Sequence, residues 1–174
     1  MLKKIKLLRR LRLFDDTITL VIDVDGVLTD GTFWYSDQGK EFKRFAPHDA
    51  EALGNLKKYF PIKIISADIR GKKITERRLN DLGFDLQIVT SDTRRSLITS
   101  IQAKGRNVLF VGDSLSDIPA MTEATIAVCP SNSCLGVSRH VDYVLKTQGG
   151  RGVMAEIQQL FEEALGKDTF LEKL

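Results

Sequence analysis

Six short apolar runs recur along the chain, at 17–22, 62–65, 86–89, 108–111, 126–128 and 143–145. The first, Thr-Ile-Thr-Leu-Val-Ile, is rich in β-branched residues and stops abruptly at Asp23. Runs of this kind, apolar on both faces and closed by polar residues, predict strands buried in a parallel sheet. Between them lie segments of helical periodicity at 50–59, 72–82, 94–104 and 118–122, with a last one at 153–164. Strands alternating with helices predict an α/β fold, a doubly wound parallel (Rossmann-like) sheet with helices on both faces. One interval departs from this pattern. At 31–45 aromatic residues flank Asp-Gln-Gly, and polar and apolar positions alternate after it, which predicts a short β-hairpin after the first strand. Such a hairpin is too small to close over a site as a lid domain does. The whole chain, 1–174, therefore reads as a single domain without a cap.

Composition narrows the picture. With 43% hydrophobic and 28% charged residues among 174, the chain has ordinary globular composition and enough length to bury a core. No apolar run approaches the roughly 20 residues of a membrane span. The N-terminus sets Lys3, Lys4, Lys6, Arg9, Arg10 and Arg12 among leucines. It lacks the uninterrupted apolar stretch and the small-residue cleavage site of a signal peptide, so a solvated helix and a cytoplasmic location are expected. The net charge of +3 is small, which points away from nucleic acid as a partner. Cys129 and Cys134 are too few for a disulfide framework, have no zinc-type spacing, and read as free thiols.

Ligands of an open parallel sheet bind beyond the carboxyl ends of its strands. Asp23 and Asp25 follow the first run, Ser66 follows the second, and Gly-Asp-Ser-Leu-Ser-Asp, with Asp113 and Asp117, follows the fourth. Carboxylates converging on one edge repel one another unless a cation intervenes. Oxygen donors without cysteine or histidine favour a hard cation, magnesium (Mg2+) first.

The segment Asp-Val-Asp-Gly-Val-Leu-Thr-Asp-Gly at 23–31 resembles the first motif of the haloacid dehalogenase superfamily. Ser66 resembles the second motif, and Gly-Asp-Ser-Leu-Ser-Asp at 112–117 the last. Thr29-Asp30-Gly31, the hairpin and the late Gly-Gly-Arg-Gly at 149–152 are similar to the lidless branch containing 3-deoxy-D-manno-octulosonate 8-phosphate phosphatase. The resemblance implies a phosphatase acting on a small sugar-acid phosphate through an aspartyl-phosphate on Asp23. Asp25 would be the acid–base group and Ser66 a phosphoryl donor. Asp23, Asp25, Asp113 and Asp117 would form the metal site, and the assembly would be a homotetramer.

Three departures from the branch pattern stand out. Its usual lysine falls on Thr93, so Arg94 or Arg95 is expected to take that place, with a planar fork instead of a point charge. Where the branch has Ser/Thr-Gly-Arg, this chain has Ser-Ala-Asp-Ile-Arg at 66–70, which leaves Arg70 to supply the arginine and puts Asp68 near a phosphate site. His48 precedes Asp49 where an arginine is usual. His48, Asp49, Arg70, Arg78 and Arg151 are the candidate substrate contacts. Phe33, Trp34 and Tyr35 read as hairpin packing or a subunit interface. The alternative function is a degenerate, weakly active member serving as an oligomerisation or regulatory module.

Overall fold

A computed structural model describes residues 2–166. Its parallel strands are β1 (Ile18–Asp23), β4 (Ile62–Ser66), β5 (Leu86–Ile88), β6 (Asn107–Val111), β7 (Ile126–Cys129) and β8 (Tyr143–Val144). They form one sheet in the order β5-β4-β1-β6-β7-β8. Each strand lies within one residue of its expected limits. An antiparallel hairpin, β2 (Thr29–Ser36) and β3 (Gly39–Phe45), forms a second sheet, with Trp34 opposite Phe42 and Phe33 opposite Lys43.

The helices are α1 (Leu2–Phe14), α2 (Pro47–Leu56), α3 (Lys72–Asp81), α4 (Ser91–Gln102), α5 (Ile118–Glu123) and α6 (Val153–Leu165). Two of them start three residues earlier than periodicity predicts. Helix α2 opens with Pro47 in its first turn, where the missing N–H is no loss. Helix α4 is capped by Thr90, whose side chain accepts the Thr93 N–H. Apolar periodicity locates a buried stripe, but a polar first turn falls outside it.

Strand β1 is buried along its whole length and alternates between two cores. Leu20 and Ile22 face a larger core built with α1, α2 and α6, whereas Val21 faces a smaller one built with α4 and α5. Helix α1 is not fully solvated. Leu7 and Leu11, one turn apart, are buried in the larger core, while its basic residues stay outward. Arg10 reaches Asp142 at 2.6 Å, and Arg12 donates from Nε to the Ala164 carbonyl of α6 at 2.6 Å. Among the described residues no helix is long and apolar enough to cross a membrane.

Because Leu11 is enclosed, Leu11→Ala is expected to lower unfolding stability by roughly 2–5 kcal/mol. Denaturant titration checks this; a loss under half a kcal/mol would mean that α1 is dispensable to the core.

Candidate active site

The position of β1 between β4 and β6 brings three strand ends together. Asp23 ends β1, Ser66 ends β4, and Asp113 lies just beyond β6. The chain then turns tightly through Val24–Leu28, where Gly26 has φ 87°. A methyl group at Gly26 would collide with the Asp113 carboxylate, so glycine serves here for both backbone conformation and close approach. The Thr29 hydroxyl accepts the N–H groups of Gly26 and Gly31, each at 3.3 Å, which fixes the turn from below. A second loop covers it. Gly150 donates its N–H to the Val27 carbonyl at 2.9 Å, and a side chain at Gly149 would strike the Gly26 carbonyl. The glycine run before α6 thus packs on the turn that follows Asp23.

Carboxylate oxygens of Asp23, Asp113 and Asp117 all lie within 4.8 Å of one another. Burial, reinforced by the charge of Asp117, raises the Asp23 pKa well above the usual carboxylate range, with Arg94 opposing the rise. Burial, followed by the charges of Asp117 and Asp25, pushes Asp113 up to about 7. The three groups differ in their partners. One Asp117 oxygen accepts the N–H groups of Asp113 (3.0 Å) and Ser114 (2.8 Å) and the Ser114 hydroxyl (2.8 Å), and the other pairs with Arg94. Asp117 is thereby fully engaged in shaping its own loop. By contrast, Asp113 Oδ1 is buried without any hydrogen-bond partner. Such an orphan costs free energy unless something supplies positive charge to it. Hard oxygen donors in this arrangement fit a divalent cation such as magnesium.

The sequence left the cation beside Asp23 open between two arginines, and the structure separates them. Arg94 is 2% exposed and places Nη2 3.4 Å from Asp23 Oδ1. Arg95 lies on the surface against Glu123. Thr93, where the lysine was expected, turns its hydroxyl back to accept the Thr90 N–H at 2.7 Å. That residue is spent on closing the helix end, and the next one falls on the buried face.

Asp25 is held at both oxygens: Oδ1 pairs with Lys43 at 2.7 Å, and Oδ2 accepts the Ser66 hydroxyl at 3.0 Å. Asp68 is not an unbalanced charge, because Lys40 and Lys43 each approach it at 2.8 Å. Burial works to raise its pKa, but the bonds from Lys40 and Lys43 win and bring it down to about 2.

A cleft of about 290 Å³ opens here, lined by Asp23, Asp25, Phe33, Lys40, Asp68, Arg94, Asp113 and Ser116, with Ser66, Lys43 and Asp117 set behind it. The five expected substrate contacts do not line it. Asp49 is buried and accepts the N–H groups of Gly152 (3.0 Å) and Met154 (2.8 Å), so it caps the start of α6. His48 and Arg151 border a separate groove of about 370 Å³ along α6. Arg70 is exposed and lies 3.5 Å from the Tyr35 hydroxyl, since the loop after β4 carries it outward. Arg78 sits at a small apolar pocket with Leu28, Phe45 and Leu79. Sequence reading missed Lys40 and Lys43. The only signal available was a pair of lysines three residues apart on a hairpin strand, which alternation alone places on opposite faces; an irregularity in the β2–β3 register sets them opposite Tyr35 and Phe33, on one side.

No protein-family model matches the chain. The 3-deoxy-D-manno-octulosonate 8-phosphate phosphatase KdsC of Escherichia coli K12 is 31% identical over 157 residues, covering 85% of this chain and 80% of that protein. The crystal structure of the same-named phosphatase from Moraxella catarrhalis, in complex with magnesium, phosphate and KDO, superimposes with a TM-score of 0.81 at 26% identity. It covers 96% of this chain and 97% of that one. A Legionella pneumophila hydrolase ascribed to subfamily III A of the haloacid dehalogenase superfamily gives a TM-score of 0.81 at 25% identity, covering 98% and 97%. The motif order, the strand-end carboxylates and these likenesses agree: the chain belongs to the 3-deoxy-D-manno-octulosonate 8-phosphate phosphatase family of the haloacid dehalogenase superfamily.

Proposed function

We propose that this chain is a magnesium-dependent phosphomonoesterase acting on a small sugar-acid phosphate of the 3-deoxy-D-manno-octulosonate 8-phosphate type. The observation that carries the reading is the cluster of Asp23, Asp113 and Asp117 beside Asp25, with one buried Asp113 oxygen left without a partner. Asp23 and Asp113, with the Asp25 carbonyl, would hold magnesium, while Asp117 anchors the loop that presents Asp113. Bound there, the cation offsets the carboxylate charge and that of the phosphoryl group.

Asp23 attacks phosphorus and forms an aspartyl-phosphate as the ester oxygen departs with the bonding pair. Asp25 delivers a proton to that oxygen and later takes one from the attacking water. Arg94, fixed by Asp117, keeps the nucleophile oriented and adds positive charge beside it. Ser66 turns its hydroxyl to a phosphoryl oxygen. A paired, buried Arg94 in the lysine's place supports an active site over the alternative of a degenerate regulatory module.

With His48 and Arg151 outside the cleft, these two would meet substrate only across a subunit boundary. Phe33, Trp34, Tyr35 and Phe42 are exposed on the hairpin, and this apolar surface supports assembly, as a homotetramer, through it.

Magnesium-dependent phosphate release from a panel of sugar-acid phosphates tests the activity. Asp23→Asn is expected to lower it by at least about 10³-fold, since no other group there replaces the nucleophile. Equal release by the variant and the unaltered chain would refute the assignment.

A second expectation concerns pH. Folding raises the pKa of Asp113 from 3.8 to about 7, so the folded protein retains a proton that the unfolded chain has released. Metal-free stability should therefore fall as pH rises from about 4 to 7. Magnesium should raise the melting temperature more at pH 8 than at pH 5. Thermal unfolding with chelator and with magnesium checks both; a metal-free protein that becomes more stable across this window would show the carboxylates to be compensated already.

A further inference from the structure

Lys43 has no part in the chemistry above, yet its side chain is 0% exposed beside the site. Lysine is almost never enclosed unless paired, and here its ammonium forms ion pairs with Asp25 Oδ1 at 2.7 Å and Asp68 Oδ2 at 2.8 Å and donates to Thr75 Oγ1 at 3.1 Å. Lys43 does not line the cleft, whereas Lys40 does. A bound phosphoryl group would therefore meet Lys40 and not Lys43.

Asp68 is itself fixed. Its Oδ1 accepts the Gly71 N–H at 3.1 Å, and its own N–H donates to Ser66 Oγ at 3.0 Å. Ser66 in turn donates to Asp25 Oδ2. A closed ring therefore runs from Asp25 through Lys43, Asp68 and Ser66 back to Asp25. Gly71 makes room for it: a methyl group there would strike the Asp68 carboxylate and lie 2.7 Å from Lys43 Cε. Strand β3, the loop after β4 and helix α3 all contribute, so the arrangement is a built feature of the fold.

We propose that Lys43 is a positioning residue for Asp25, with Asp68 as its anchor; this deepens the phosphatase reading and rests on it. The Ser66 hydroxyl has one hydrogen, so it cannot serve Asp25 and a phosphoryl oxygen together. When the phosphoryl group claims it, Asp25 Oδ2 is released toward the ester oxygen, and Lys43 alone keeps the carboxylate in place through Oδ1. Freed of Ser66, Oδ2 takes up a proton from water in the cleft and passes it to the ester oxygen as that oxygen leaves with its bonding pair and the Asp23–phosphorus bond forms. The ion pair with Lys43 then holds the ionised carboxylate.

Two probes of similar shape but different leaving groups test this. Nitrophenolate departs without a proton, whereas the alkoxide of benzyl phosphate needs one. Lys43→Met is expected to reduce kcat/KM for benzyl phosphate at least about tenfold more than for p-nitrophenyl phosphate. Asp68→Asn should show the same preference to a smaller degree, and it decides the question if Lys43→Met does not fold by circular dichroism. Equal losses on the two esters, or no loss, in a folded variant would overturn the positioning role alone. Absence of magnesium-dependent p-nitrophenyl phosphate hydrolysis by the unaltered chain would overturn the phosphatase reading, and this proposal with it.

Discussion

Four carboxylates crowd the carboxyl edge of the sheet, and the molecule is arranged around keeping them there. Like charges in a poorly solvated corner raise each other's pKa and oppose folding. Each group at this edge is answered separately. Asp117 has backbone N–H groups and Arg94, Asp25 has Lys43, and Asp113 has one oxygen that no protein group meets. The unequal distribution is informative. Charges matched within the chain are structural whatever else is bound, while the unmatched one marks where positive charge must come from outside.

The proposed use of Arg94 in place of a lysine follows the same logic. A lysine ammonium is a point charge, whereas a guanidinium can bridge two carboxylates with separate nitrogens. Arg94 does this, with Nη1 on Asp117 and Nη2 on Asp23. One side chain then links the nucleophile to the loop that presents Asp113. Asp23 and the loop carrying Asp113 are mechanically joined even before any ligand arrives.

The sheet, the strand limits and the residues at its edge could be read from the chain, because a parallel strand with both faces buried leaves an unbroken apolar run that only a functional residue interrupts. Asp23, Asp113 and Ser66 were visible for that reason. The basic residues were not. Arg94 and Arg95 differ only in helical phase, which depends on where Thr90 starts the helix. Lys43 looks solvent-facing on a hairpin until the loop carrying Asp68 is folded against it. Asp49 resembled a substrate contact because it follows His48 near a motif, but its partners, the N–H groups of Gly152 and Met154, lie about a hundred residues further along. Pairings between distant segments leave no local pattern.

The loop bearing Gly149 and Gly150 lies over the turn containing Gly26, and 123 positions (149 − 26) separate the two contacting glycines. During synthesis the strand ending in Asp23 emerges early, but the cover of its turn is made only after most of the sheet has been translated. Until then the turn after Asp23 is held only from below, by Thr29. The nascent protein thus carries Asp23 long before its surroundings are complete, and maturation of the centre is tied to near-completion of the fold.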